Sequence, residues 1–133
     1  MQIESKVCKI LRPAETIYNI ISDFSKIEPL IPIPKEKVKD FTTTEDVCSF
    51  TAEGFGTVEL KIVNREPFSL VKYTGGGDIP LKFFVWIQLK EAKPNDTRIK
   101  ITFRADIPKA MEVMFKSKVE KALNSLIDKI SGI

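Results

Sequence analysis

Residues 107–130 read IPKAMEVMFKSKVEKALNSLIDKI, and this closing stretch predicts one long amphipathic helix. Its apolar side chains recur at intervals of three and four residues, as one face of an α-helix requires. That face comprises Met111, Phe115, Val119, Ala122, Leu123, Leu126 and Ile130. We expect Asp106 or a neighbour to cap the helix, with Pro108 in its first turn and Gly132 at its end. At 1.5 Å per residue the helix is about 36 Å long, enough to cross a small sheet.

The opening of the chain predicts a strand over residues 3–11, with a slip in apolar register that indicates a bulge. Pro13 suits the first turn of a short helix that follows. The buried stripe of this helix is Ile17, Ile20 and Ile21. One or two further turns are expected over 24–30, before prolines 29, 32 and 34 stop any helix.

The middle of the chain predicts a run of strands separated by turn residues. The expected strands are 36–44, 46–53, 56–66, 69–75, 81–91 and 97–105. Gly54 and Gly56 flank a hairpin connection, and the run Gly75–Gly77 is expected to break the sheet. This order predicts an α+β fold in one domain, 1–133, in which a curved antiparallel sheet of about six or seven strands wraps around the final helix.

Composition restricts the classes of function. The chain has 133 residues, a net charge of +3 and 43% hydrophobic residues, which is typical of one globular domain. It has no secretory signal pattern and no apolar stretch long enough to span a bilayer, so we expect a cytoplasmic protein without stable membrane insertion. Histidine is absent, and Cys8 and Cys48 lack metal-ligand spacing. We therefore expect two small, buried thiols and neither a metal nor a cofactor.

The opening residues also carry a resemblance to a known superfamily. Arg12–Phe24, followed by Ile27-Glu28-Pro29-Leu30, resembles the start of the SRPBCC superfamily, the START-like and birch-pollen-allergen-like helix-grip proteins. The turn Asn95-Asp96-Thr97-Arg98 and the closing helix extend the likeness over the whole chain. The resemblance implies a helix-grip fold. It says little about chemistry, because members bind lipids, sterols, quinones or polyketides and others are enzymes.

A curved sheet and a single helix do not easily fill the space between them, so we expect a pocket there. The predicted function is binding of a small apolar or amphipathic molecule in that pocket. The predicted ligand-binding residues are Val58, Leu60, Ile62, Val71, Tyr73, Phe83, Val85, Ile87, Ile99, Ile101, Phe103, Met111, Met114 and Phe115. Tyr73 is the best candidate for a polar contact, because its hydroxyl can donate inside an otherwise apolar wall.

The open part of the pocket is expected beside the N-terminal half of the final helix. There Met111, Met114 and Phe115 would face Phe83 and Tyr73. Methionine adapts to irregular shapes, which suits a wall that accepts varied apolar ligands. Ordinary core packing is the alternative interpretation of the same side chains.

Two other functions stay open. One is a cyclase- or aromatase-like enzyme of the same superfamily, although no convergent acid and base residues are evident. The other is a protein-interaction module with a filled core. Phe84 and Trp86 would suit a homodimer contact or an aromatic lid if they face outward, and they would line the core or the pocket if a bulge turns them inward. Arg98, Lys100 and Arg104 share one strand face, but the low net charge argues against a nucleic-acid partner.

Overall fold

The computed structural model of the protein describes residues 1–31, 35–53, 56–78 and 82–133. The strands are β1 (Gln2–Glu4), β2 (Cys8–Ile10), β3 (Val38–Thr43), β4 (Val47–Ala52), β5 (Gly56–Glu66), β6 (Leu70–Gly77), β7 (Phe83–Lys93) and β8 (Asp96–Ala105). The helices are α1 (Ala14–Ile21), α2 (Phe24–Ile27) and α3 (Lys109–Ser131), with short 3-10 segments at Glu28–Leu30 and Lys35–Lys37. The turn at Gly54-Phe55, the stop at Pro32 and Pro34, and a strand start at Leu81 lie outside the described residues.

All eight described strands belong to one antiparallel sheet. Its order is β1-β8-β7-β6-β5-β4-β3, and β2 also pairs with β8. Each neighbour along β3 to β8 is also the neighbour in sequence, so the sheet is a meander closed by the first strands. The expected α+β architecture, with a long final helix and two short helices after the opening strand, is therefore confirmed.

The described sheet has one strand more than the predicted maximum, because the expected first strand is interrupted. Ser5 lies between β1 and β2, and its amide donates to the Ile101 carbonyl at 2.8 Å. Its hydroxyl in turn accepts a hydrogen bond from the Ile101 amide at 2.8 Å. The buried side chain thus replaces a backbone partner where the ladder breaks, as the register slip in the sequence indicated.

The expected break at Gly75–Gly77 is wrong, because β6 continues through all three glycines. Gly75 pairs with Leu60 on one side and Phe83 on the other. A Cβ at this position would overlap the Phe83 ring, so glycine is required here for close packing of that ring. Gly77 has a φ of +102°, and the strand ends there.

Short helices α1 and α2 cover one part of the inner sheet face. Ile17 and Ile21 are fully buried, whereas Ile20 of the predicted stripe is only half-buried. Asp23 is the N-cap residue of α2, and its carboxylate accepts a hydrogen bond from the Ser25 amide at 2.9 Å. This bond and that from the Ser25 hydroxyl lower the pKa of Asp23.

Helix α3 packs mainly through its C-terminal half. The buried side chains of this helix are Leu123, Ile127 and Ile130. The expectation that Met111 is part of the buried face is wrong, because Met111 is 43% exposed. Pro108 precedes the helix without a side-chain cap, so capping by Asp106 is also not observed, whereas Gly132 ends the helix as expected.

Polar contacts join α3 to the start of the chain. The Met1 ammonium lies 3.7 Å from Glu112 Oε1 in the first turn of α3, and three further contacts lie near the other end of the helix. The Lys6 amide donates to Asn124 Oδ1 at 3.0 Å, and Lys6 Nζ lies 2.6 Å from Asp128 Oδ1. Cys8 Sγ and Ser131 Oγ are 3.1 Å apart in a further hydrogen bond. All three contacts fall in the second half of α3 and hold it against the β1–β2 segment.

Replacing Ile127 with Ala should lower the free energy of unfolding by about 2–5 kcal/mol, because the side chain is fully buried. Val113→Ala on the same helix is the matched control, since Val113 is 83% exposed, and it should change stability by less than about 0.5 kcal/mol. Urea denaturation measures both. Equal effects of the two substitutions would show that α3 is packed differently.

Candidate functional site

An apolar cavity of about 290 Å³ lies between the sheet, the α1–α2 region and α3. Strands β4 to β7 supply its floor, and α2 and the C-terminal half of α3 supply its sides. The described wall residues are Phe24, Ile27, Ile31, Phe50, Val58, Leu60, Tyr73, Phe83, Val85, Ile87, Ala122, Leu123 and Leu126. Apart from the Tyr73 hydroxyl, no side chain of this described wall carries a polar atom.

The structure brings six of the predicted ligand-binding residues together at this cavity. They are Val58, Leu60, Tyr73, Phe83, Val85 and Ile87. All six come from the inner faces of β5, β6 and β7, where alternation along each strand points every second side chain the same way. Period-2 patterning in the sequence is therefore the signal that located this part of the wall.

The other predicted residues lie elsewhere. Val71, Ile99, Ile101 and Phe103 are buried in the core without lining the cavity, and Ile62 is half-buried beside the irregularity in β5. Met114 is 68% exposed, and half-buried Phe115 does not border the cavity. The cavity lies beside the C-terminal half of α3, because Ala122, Leu123 and Leu126 border it. The expected location beside the N-terminal half is thus not what the structure shows.

Several wall residues were absent from the predicted set. They are Phe24, Ile27, Ile31, Phe50, Ala122, Leu123 and Leu126. The last three belong to the apolar stripe of the final helix, so the sequence did place them on the correct face. Phe50 pairs with Val58 in the β4–β5 register, and this pairing places it on the same face of the sheet as the predicted residues. Phe24 and Ile27 follow the α2 cap three residues apart, which is the spacing of one helix face.

Tyr73 is the one polar group on the described wall, and its proton is already used. Its hydroxyl donates a short hydrogen bond to the carbonyl of Ile21, at the end of α1. The ring also packs against Phe24, with 5.6 Å between centroids. Burial raises the pKa of Tyr73 strongly, so the phenol stays neutral. Its donor therefore holds the helices on the sheet and is not free for a ligand.

Arg65 on β5 makes a second link to the same corner. Its guanidinium donates to the Ser22 carbonyl from Nε at 3.2 Å and from Nη2 at 2.9 Å. Nη2 also lies 2.6 Å from Asp46 Oδ1. The positive charge of Arg65 is thus paired outside the cavity.

The thiols offer no evident nucleophile. Cys48 is fully buried on β4, and burial together with the charge of Glu28 raises its pKa to about 11. It is therefore protonated at neutral pH. Cys8 is half-buried and bonded to Ser131, so the expectation of two buried thiols is met fully only by Cys48. Within the described ranges, no cluster of three or more Cys, Asp or Glu side chains is arranged to hold a metal ion.

The outer sheet face carries the aromatic pair noted in the sequence. Phe84 and Trp86 lie with 6.0 Å between ring centroids, and Lys72 Nζ is 4.8 Å and 5.2 Å from those centroids. On the same face Arg98 pairs with Asp96, and Lys100 pairs with Glu4. The ammonium of Lys72 covers both rings, which reduces the free aromatic surface on this face.

None of the described helices has the length and apolar character needed to cross a bilayer.

No protein-family profile matches the sequence, and no curated protein matches it significantly. Solved structures, however, share the fold. A conserved protein of Geobacillus kaustophilus has a TM-score of 0.74 at 13% identity, with 99% of this chain and 93% of that chain covered. A START superfamily protein of Mycobacterium smegmatis has a TM-score of 0.70 at 13% identity, with 98% and 94% covered. This likeness confirms the expected START-like, helix-grip fold.

Gly75→Ala should lower the free energy of unfolding by about 1–3 kcal/mol, because the new Cβ overlaps the Phe83 ring and disturbs its stack on Phe103. Gly76→Ala is the matched control, since nothing lies within 4 Å of a Cβ there. Chemical denaturation compares the two variants.

A double-mutant cycle identifies the cause of that loss. In a Phe83→Ala background, Gly75→Ala should cost much less than in the wild-type chain, because the overlapping ring is gone. The same cost in both backgrounds would contradict the packing of Phe83 over Gly75.

Proposed function

We propose that this protein binds a small hydrophobic or amphipathic molecule in the cavity between the sheet and α3. The observation that carries the proposal is a cavity of about 290 Å³. Its described wall is apolar except for the Tyr73 hydroxyl, which donates its hydrogen bond to the Ile21 carbonyl. Ligand sites in proteins are mostly apolar and reach from about 300 to 1,000 Å³, so this cavity suits a compact ligand.

The energetics favour an apolar occupant over water. A buried water molecule typically makes about three hydrogen bonds to polar groups, so water that lies against an apolar wall loses partners. The described wall supplies none beyond the oxygen of Tyr73, whose proton is bonded to Ile21. An apolar ligand instead gains about 25 cal/mol for each Å² of apolar surface removed from water.

The two alternative functions have less support. An interaction module with a filled core would leave no void of ligand size, and the cavity is such a void. An enzyme would need acid and base groups that converge on the ligand. Tyr73 is the one ionisable side chain on the described wall, and its buried, bonded phenol stays neutral. The fold shared with a START superfamily protein adds support for ligand binding.

A solvatochromic apolar dye should bind with a dissociation constant near 1 μM, about −8 kcal/mol, and its fluorescence should rise on titration. Leu126→Trp should weaken binding at least tenfold, because the larger side chain enters the cavity. Met114→Trp on the same helix is the matched control and should leave the affinity unchanged, since Met114 is exposed and distant from the wall.

Stability measured in parallel separates filling from unfolding. Thermal melting of both Trp variants should remain cooperative, because one fills a void and the other changes a surface position. Dye affinity that is equal in the wild type and in Leu126→Trp would contradict binding in this cavity.

A further inference from the structure

We propose that the cavity binds the uncharged form of a compact ligand much more tightly than the ionised form of a molecule of the same shape. This inference rests on the proposed function and deepens it, because it specifies the chemical class of ligand. A ligand carboxylate or ammonium buried in the cavity would need an opposite charge or a hydrogen-bond partner on the wall as its match. The described wall offers no such match.

The described wall contains no charged side chain and no free hydrogen-bond donor. Twelve of its thirteen side chains are hydrocarbon, and the hydroxyl of Tyr73 donates to the Ile21 carbonyl. The main-chain groups of β5, β6 and β7 are engaged in the pairing of those strands. By sequence, the segments 32–34, 54–55 and 79–81, which adjoin the wall segments along the chain, carry no ionisable side chain either.

Two charged side chains beside the wall, Arg65 and Glu28, have other interactions in the fold. Arg65, close to Tyr73, is paired with Asp46 and bonded to the Ser22 carbonyl. Glu28 follows wall residue Ile27 and is half-buried, and its charge is felt at the buried thiol of Cys48. Neither of these groups offers a ligand carboxylate a free cation inside the cavity. Lys82 and Lys121, next in sequence to wall residues Phe83 and Ala122, are exposed to solvent and are not part of the wall. A ligand ammonium would reach no lining carboxylate.

Desolvation then decides between the two forms of a ligand. Moving an ionised group from water into an apolar site without a partner costs far more than burying a neutral group. A flexible amphiphile avoids that cost by leaving its head group outside. A rigid ligand with the charge attached to its ring system can do so only by withdrawing part of that ring system from the apolar wall, so it binds much more weakly. At about 30 Å³ per water molecule, the cavity corresponds to roughly ten waters, which suits a compact ring system.

Isosteric naphthalenes test this inference, with the full-length protein and isothermal titration calorimetry at pH 7. 1-Acetylnaphthalene and 1-naphthoate differ by a methyl group in place of an anionic oxygen. 1-Ethylnaphthalene and 1-naphthylmethylammonium differ by a methyl group in place of the ammonium. Each neutral compound should bind at least 100-fold more tightly than its charged isostere, which corresponds to about 2.8 kcal/mol.

Cavity variants locate the binding. Leu126→Trp should abolish binding of both neutral compounds, and Met114→Trp should leave it unchanged. Ala122→Phe, at another wall position, replaces Leu126→Trp if that variant does not fold. Neutral compounds that bind equally well to the folded cavity variants would place the selectivity elsewhere and overturn the inference.

The remaining outcomes distinguish the two proposals. Charged isosteres that bind within threefold of their neutral partners would overturn the inference, while ligand binding by the cavity would stand. If neither neutral compound nor the dye binds, the proposed function fails and the inference fails with it.

Discussion

The cavity depends on how the corner between α1 and α2 is attached to the sheet. Helices of eight and four residues have little stability of their own, and their last carbonyls lack partners within the helix. The Tyr73 hydroxyl satisfies the Ile21 carbonyl, and the Arg65 guanidinium satisfies that of Ser22. These two side chains, from β6 and β5, hold α2 at a set distance from the sheet. The cavity is the space between Phe24 and Ile27 of α2 and the sheet.

The sheet contributes its own constraint at the other end of the wall. Phe83 stacks on Phe103 with 5.4 Å between centroids, and it needs the missing side chain of Gly75 to reach that position. A glycine in a strand normally weakens it, because it contributes no side chain to packing. Here the glycine lets a neighbouring ring cover the strand. The same residue thus permits close packing at Phe83, which is itself a wall residue of the cavity.

Much of the fold was predictable because its signals are local. The alternation in β5, β7 and β8 and the three–four spacing in α3 fix element type and inner face from sequence alone. The part of α3 that packs could not be predicted in this way. It depends on contacts that are remote in sequence, such as those of Lys6 and Cys8 with Asn124, Asp128 and Ser131, more than a hundred residues away. The apolar pattern of Met111 and Phe115 is the same whether or not a sheet lies opposite, so the cavity was expected at the wrong half of the helix.

Tyr73 shows the corresponding limit for the site. Its inward position followed from alternation in β6, but its hydrogen-bond partner at Ile21 depends on where a separate helix ends. A polar atom on a wall can serve a ligand or the fold, and sequence does not distinguish the two uses. In this protein the fold uses it, which leaves the described wall without a free polar anchor.

Xenon under pressure is a direct probe for a ligand-sized apolar cavity, because xenon binds in apolar cavities that stay dry. A crystal structure of the pressurised protein should show xenon among Phe50, Leu60 and Leu126, and none there in Leu126→Trp. A wild-type crystal in which side chains fill this space and no xenon enters would contradict the account.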